Sequence, residues 1–283
     1  MAPLESIGQW PGLHGAAVVV VRDGSTPLVV ATAGALDVEF PLASVTKVAS
    51  SLAVLGVVAA GGCALDDEVG PPGASLAHLL SHASGLPLDG MRPIAQPGER
   101  RIYSNTGIEL AVSHAASSAR VEPRELLASL VFEPLGMSRT RLEGSAASAA
   151  LGTVADLSRL AGELLVPSLL PIDLATRWRT VAFAGLAGVL PGFGRQVPCD
   201  FGLGIEVKGT KHPHWTGERW PASSVGHFGQ RGGFVVADAA SGIAVATLGD
   251  EPFGAWASAR WPGFTDDVRR EWLPAASADP TTP

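Results

Sequence analysis

The chain has 283 residues, of which 46% are hydrophobic and 17% charged, with a net charge of -7. That is enough apolar material for one large domain or two interleaved lobes, and it argues against a chain disordered throughout. The acidic balance, with no basic run, argues against a nucleic-acid groove.

The opening segment, MAPLESIGQWPG, has no basic n-region and carries Glu5, so it does not read as a secretory signal. "AAVVVVRDG" (Ala16–Gly24) is a β-branched run ending in a turn signal, and "PLVVATAG" (Pro27–Gly34) follows it; together they read as strand–turn–strand. Next comes a helix opened by Ser44 and ended by Gly61–Gly62, whose only charge is Lys47. Its uncharged stretch, Val48 to Cys63, falls short of the roughly 20 residues a membrane span needs, so a buried helix is expected and no membrane partner. "SLAHLLSHASG", "TGIELAVSHAASSA", "EPRELLASLVFEPLG" and "VADLSRLAGELL" have helical spacing, separated by Pro and Gly, and Pro123 and Glu125 suit a first helical turn.

Strand character returns in "FGLGIEVKG" (Phe201–Gly209), "GGFVVADAASG" (Gly232–Gly242) and "IAVATLGD" (Ile243–Asp250). "TDDVRREWL" (Thr265–Leu273) reads as a terminal helix capped by Thr265, and "PAASADPTTP" as a disordered tail. Strands and one helix, a helical insert, then strands and one helix imply an α/β lobe from 1–62 plus 195–283. A helical lobe from 63–194 is inserted, with a cleft between the two, because both chain ends must complete one sheet. Cys63 and Cys199 lie far apart without a C-x-x-C pattern and read as buried free thiols, which together with the N-terminus points to a cytoplasmic protein.

Ser44 and Lys47 stand three residues apart, on one helical face. Burial disfavours the charged ammonium, and an uncharged amine one turn away is a base for a serine hydroxyl that is otherwise a poor nucleophile. The helix N-terminus also favours developing negative charge. An ordinary helix start with a snorkelling lysine has the same spacing. Tyr103, in Tyr103-Ser104-Asn105, is the only tyrosine of the chain. It reads either as a half-buried core aromatic or as a phenol that passes a proton once cationic neighbours lower its pKa. In "VGHFGQRGGFVV" (Val225–Val236) the glycines let a substrate backbone lie close to a strand. His227 there can offer a hydrogen bond to a substrate or to Tyr103. The N–H of Gln230 can pair with that of Ser44 as an oxyanion hole. A glycine-rich hairpin with an incidental histidine is the alternative.

Ser44-Val45-Thr46-Lys47, Tyr103-Ser104-Asn105 and His227-Phe228-Gly229, in that order, resemble the three motifs of penicillin-recognising serine enzymes. The resemblance is closest to the class C β-lactamase, D,D-peptidase and esterase group. "LDDEVG", "LLSHASGLP", "PGERRIYSNTG", "FEPLGMSRT" and "TVADLSRLA" resemble the linking sequence of that group, and the similarity runs roughly from Pro11 to Gly249. It implies a β-lactamase/transpeptidase-like α/β fold, an antiparallel sheet flanked by helices with an inserted all-helical lobe. It also implies Ser44 as the acylated nucleophile, Lys47 and Tyr103 as the general-base pair, and Asn105 as a hydrogen-bond partner of the acyl side chain or of Lys47. Gly229, Gln230 and His227 fall at the substrate-binding strand. The third motif often begins with lysine, a cation suited to a substrate carboxylate; here it begins with His227, a pattern similar to that of esterases and some peptidases of the group. Arg231 is the one residue nearby that can replace that charge. Little chain lies between Asp67 and Leu79, and both departures weaken the case for β-lactam hydrolysis.

Other signals are set aside. His78 and His82 have the i, i+4 spacing of a zinc pair but are followed by Leu79 rather than glutamate, so His82 reads as structural. His212 and His214 flank Pro213 without a cysteine or carboxylate cluster, and no metal is assigned. Trp215, Trp220, Trp256 and Trp261 belong to an apolar pocket or to the core. No phosphate loop or dinucleotide fingerprint appears, so no cofactor is expected. The expectation is a serine hydrolase forming an acyl-enzyme on a small ester, or a related acyltransferase. A D-amino-acid peptidase or weak β-lactamase acting on an amide is the enzymatic alternative, and a ligand-binding or sensing module without turnover is the alternative of another kind.

Overall fold

The segment HGAAVVV (His14–Val20, strand β1) is buried at every position in the computed structural model, which describes residues 2–21 and 26–273. The turn expected at Arg22–Gly24 and the tail at Pro274–Pro283 lie outside the described residues. The remaining strands among the described residues are β2 (Leu28–Gly34), β3 (Phe40–Pro41), β4 (Arg141–Leu142), β5 (Ala150–Gly152), β6 (Gly188–Leu190), β7 (Gly194–Gln196), β8 (Glu206–Val207), β9 (Val225–Phe228), β10 (Phe234–Asp238) and β11 (Ile243–Gly249). The α-helices are α1 (Thr46–Ala59), α2 (Leu76–Leu80), α3 (Asn105–Ala119), α4 (Pro123–Leu127), α5 (Val154–Leu165), α6 (Ile172–Arg179) and α7 (Ala255–Trp272).

Six strands form one antiparallel sheet in the order β2-β1-β11-β10-β9-β8, so strands from both ends of the chain lie side by side. Val18 pairs with Val245, Val245 with Val236, and Val235 with His227. Successive side chains of a strand point to opposite faces. Ala17, Val19, Val235, Ala237, Ala244 and Ala246 accordingly enter one core, and Ala16, Val18, Phe234, Val236, Ile243 and Val245 enter another. A sheet buried on both faces needs apolar residues at every position, which is what these strands supply. The antiparallel sheet flanked by helices is the expected fold class.

The first face is covered by α5, which lies across β1, β10 and β11 although its sequence falls within the 63–194 segment expected to form a helical lobe. Beyond it α1 is buried nearly all round, and α2, α3 and α4 gather against it or its neighbours. Ala111, Val112, Ala115 and Ala116 on α3 are buried, with small side chains that permit close helix packing. The second face is covered by α7 and by the short 3-10 helix Pro3–Gln9. Trp215, Trp220 and Trp261 pack there, with Trp256 at the margin.

Two elements differ from expectation. The terminal helix begins at Ala255, ten residues before Thr265, and runs through Pro262. Ala257, Trp261, Phe264 and Val268 form its buried stripe, and burying that stripe outweighs the hydrogen bond lost at the proline. Thr265 is therefore an interior residue; its hydroxyl donates to Pro262 O and accepts from Gly217 N–H. "FGLGIEVKG" contributes only the two-residue strand β8. Gly204, at φ +83°, turns the chain back so closely against α1 that a Cβ there would lie 2.3 Å from Ser51 Cβ. A small sheet, β3-β5-β4, is not evident in the sequence and fixes the chain entering Ser44. Among the described residues no helix is long and apolar enough to cross a membrane.

Candidate active site

Ser44 sits in a 3-10 turn, Ala43–Val45, that leads from β3 into α1. Lys47 lies in the first turn of α1, three residues on and on the same face, which brings it under Ser44. Ala43 holds a left-handed backbone, φ 47°, a conformation residues with a side chain rarely adopt and one that marks turns presenting functional groups. Ser44 itself is half-buried.

Lys47 is fully buried, and Nζ has three polar neighbours: Asn105 Oδ1 at 2.8 Å, Ala147 O at 2.8 Å and Ser44 Oγ at 3.3 Å. Two of these are carbonyl oxygens that only accept, so they take two N–H bonds. The remaining position on nitrogen faces the hydroxyl, and in the uncharged amine it is the lone pair. Burial brings the Lys47 pKa down from 10.5 to about 7, against the opposing pull of Glu109 and Asp89. An amine in this position is half neutral near pH 7.

Tyr103 and Asn105 flank the start of α3. The Ser104 hydroxyl caps that helix by accepting from Gly107 N–H at 3.0 Å and donates to Pro87 O at 2.6 Å. Asn105 is held from the other side by donating Nδ2 to Asp89 Oδ1 at 3.1 Å. The Tyr103 ring rests on His82, with centroids 4.5 Å apart, and Lys47 Nζ lies 4.7 Å from the Tyr103 ring centre. His227 Nδ1 lies 2.8 Å from Phe228 O, a carbonyl, so Nδ1 carries the proton and Nε2 is left as an acceptor. The phenol therefore donates to His227 Nε2, 3.3 Å away. Burial, with a smaller push from Lys47, lowers the His227 pKa to about 4, which makes it a neutral imidazole at pH 7. Burial raises the Tyr103 pKa far above its usual value although a hydrogen bond with Ser44 opposes it. The expectation that cationic neighbours lower it is therefore corrected: desolvation is the larger effect, and the resting group is an un-ionised phenol.

Gly229 follows β9. A Cβ at this position would lie 2.6 Å from Leu42 O and 3.1 Å from Ala43 Cβ, so only glycine lets the strand approach Ser44 N this closely. Gln230 lines the resulting cavity, whereas Arg231 is exposed in the turn and does not. The cavity holds about 260 Å³ and is open to Ser44, Tyr103, Asn105 and His227. Its apolar walls are Leu88, Leu190, Pro191, Phe201 and Phe228. A larger hollow of about 650 Å³ lies between β2 and α5 and contains none of these groups.

Sequence reasoning missed several contributors. Glu206 lines the cavity and is fully buried, receiving hydrogen bonds from His214 Nε2 at 2.9 Å and Trp215 Nε1 at 2.8 Å, with Lys211 Nζ 3.3 Å away. Burial pushes its carboxyl up, and Lys211, His214 and Trp215 pull it further down, to about 2. Asp89 and the Ala147 carbonyl orient Asn105 and Lys47 from loops with no sequence signature. Arg101 is buried against four carbonyls, of Ser81, Cys199, Ala182 and Phe183, and anchors the strand of chain leading to Tyr103. His78 and His82 do not form a pair: His78 closes the N-terminal cap of α2 with Ser75, and His82 Nδ1 accepts from Ser104 N–H.

The arrangement of a hydroxyl, a neutral amine and a phenol at one end of an apolar cavity can form and break an acyl–oxygen bond. The family model described as Beta-lactamase matches residues 6–261. A crystal structure of a beta-lactamase from Mycobacterium bovis is 41% identical, with a TM-score of 0.92, covering 96% of this chain and 100% of that one. Two more distant structures share the fold. The octameric penicillin-binding protein homologue from Pyrococcus abyssi is 22% identical, TM-score 0.68, covering 90% of this chain and 74% of its own. Unliganded simvastatin synthase from Aspergillus terreus is 15% identical, TM-score 0.74, covering 96% and 97%. No curated protein matches the sequence significantly.

Proposed function

Because this chain belongs to the Beta-lactamase family, we propose that it is a serine hydrolase that passes through a Ser44 acyl-enzyme and acts on small, uncharged esters. The observation that carries the reading is the Lys47 amine, whose two carbonyl partners leave its third direction to Ser44 Oγ. In the first half-reaction Ser44 Oγ attacks the ester carbonyl carbon while its proton passes to Lys47 Nζ. The N–H groups of Ser44 and Gln230 receive the oxyanion. As the C–O bond to the alcohol breaks, the Tyr103 phenol gives the leaving oxygen its proton and is reprotonated from Lys47. Water then enters the same path in reverse, and an alcohol in its place gives acyl transfer.

The preference for uncharged substrates rests on the cavity. No lysine or arginine lines it, His227 is neutral, and the charged side chain in its wall is the carboxylate of Glu206. Among the described residues that line this cavity, a substrate carboxylate therefore meets no lysine or arginine, and Glu206 is already ion-paired with Lys211. We expect kcat/KM for p-nitrophenyl butyrate to exceed that for a chromogenic cephalosporin by about 100-fold, from the lack of a charge-assisted bond to the cephalosporin carboxylate. Equal or better turnover of the cephalosporin would overturn this reading in favour of a β-lactamase or D-peptidase. A stable acyl adduct without turnover would identify a sensing module.

Gly229 offers a separate check. Gly229→Ala forces β9 away from Leu42 and Ala43, and with it Gln230 from Ser44. A displacement of the oxyanion donors by even one ångström is expected to lower kcat about 100-fold while leaving KM within a few-fold, measured with the same ester.

A further inference from the structure

Cys63 and Asp67 lie in the loop that leaves α1, and His114 stands on α3. One ligand atom from each, a thiol sulfur, a carboxylate oxygen and an imidazole nitrogen, fall within 4.8 Å of one another. Asp67 Oδ2 and His114 Nε2 are 2.9 Å apart, and the same oxygen accepts Ala64 N–H at 2.9 Å. A loop staple explains the carboxylate and the imidazole. It does not explain why the chain, after two glycines, returns a thiol to the same point.

We propose that Cys63, Asp67 and His114 form a binding site for a thiophilic divalent cation of the zinc class. The donor set of sulfur, nitrogen and oxygen is the one zinc takes, and three protein ligands leave a position for water. The site is open to solvent: the Asp67 and His114 side chains are 36% and 32% exposed. On binding, the metal–sulfur bond forms as the thiol releases its proton to buffer. His114 shifts its proton from Nε2 to Nδ1 and gives Nε2 to the metal. Asp67, already a carboxylate, exchanges its hydrogen bond from His114 for the cation.

The site joins the C-terminal end of α1 to the body of α3. The N-terminal ends of these helices carry Lys47 and Asn105, so the cation clamps the helix pair at the end away from the cavity.

The test uses the untagged full chain with zinc chloride and cobalt chloride. We expect one equivalent of cobalt to give a thiolate-to-metal charge-transfer band in the near ultraviolet, lost in Cys63→Ser and at least about tenfold weaker in binding for His114→Ala. Zinc at 100 times its Kd is expected to raise Tm by roughly 4–5 °C. Cys63 is partly buried and Cys199 buried, so the unaltered protein supplies a readout that needs no variant: zinc slows Cys63 labelling by a disulfide reagent. Absence of the band together with unchanged labelling would overturn the site, as would a band that survives Cys63→Ser.

Discussion

Replacing Lys47 with methionine is expected to lower kcat/KM for a p-nitrophenyl ester by about 10³–10⁴-fold, the range lost when an activating base is removed from a serine nucleophile. Methionine keeps the volume and the burial and removes the nitrogen. The folded protein is not expected to suffer. In the unfolded chain the amine holds its proton up to pH 10.5, whereas in the folded chain it gives it up near pH 7. Between those values the unfolded state binds more protons, so stability rises with pH there; below pH 7 the full penalty of burying an ammonium applies, on the order of 5 kcal/mol. Lys47→Met relieves that penalty and leaves the carbonyls of Ala147 and Asn105 without their donor, a loss of about 1–3 kcal/mol for each that stays dry. A variant with Tm at or above the wild type and almost no esterase activity is the expected outcome. A folded variant of ordinary activity would contradict the assignment of Lys47 as base, and an unfolded variant would contradict the burial penalty assigned to its ammonium.

Ser44→Ala is expected to abolish turnover to within the background rate, a loss of at least about 10⁴-fold, because Ser44 is the only serine or threonine among the described residues that line the cavity, and its hydroxyl lies 3.3 Å from Lys47 Nζ. Intact mass after treatment with a fluorophosphonate separates this from a binding defect. Wild type is expected to gain one adduct per chain and the variant none. Ser44 is half-buried in a turn and makes no bond that the fold depends on, so the variant should keep its Tm within a few degrees. An adduct of equal yield on Ser44→Ala would place the nucleophile elsewhere.

What the sequence conveyed about this site follows from how local each contact is. Ser44 and Lys47 are one turn apart, so their juxtaposition is readable as soon as a helix start is recognised. Tyr103 is visible because it is the sole tyrosine, and Gly229 because glycines in a strand mark close approach. The continuous apolar runs of β1, β10 and β11 likewise mark them as strands, and only the assembled sheet shows that both their faces are buried. The Ala147 carbonyl is different: any residue offers a carbonyl, and only the β5 loop brings this one to Lys47. Glu206 was hidden in a segment that resembles a longer strand, which Gly204 folds back on α1. The sign of the Tyr103 shift was missed because desolvation depends on what surrounds the ring, and His82, Phe201 and His227 come from three separate segments. Pro262 concealed the first ten residues of α7, since the tertiary burial of Trp261 and Ala257 that holds it helical has no local signal. Cys63 and His114, 51 positions apart, meet only because α1 and α3 run side by side.

The rate of Ser44 acylation as a function of pH reports most directly on whether a neutral Lys47 activates the hydroxyl. The base works only when unprotonated, so the rate constant for ester acylation, read from the single-turnover burst, is expected to climb about tenfold per unit below an apparent pKa near 7 and to level off above it. His227, at about 4, and Tyr103, far above neutrality, do not titrate in that window. Between pH 5 and pH 9 the total rise is expected to approach about 100-fold, and to vanish in Lys47→Met. A profile flat from pH 5 to pH 9, or a rising limb that persists in Lys47→Met, would contradict an amine-activated serine in this protein.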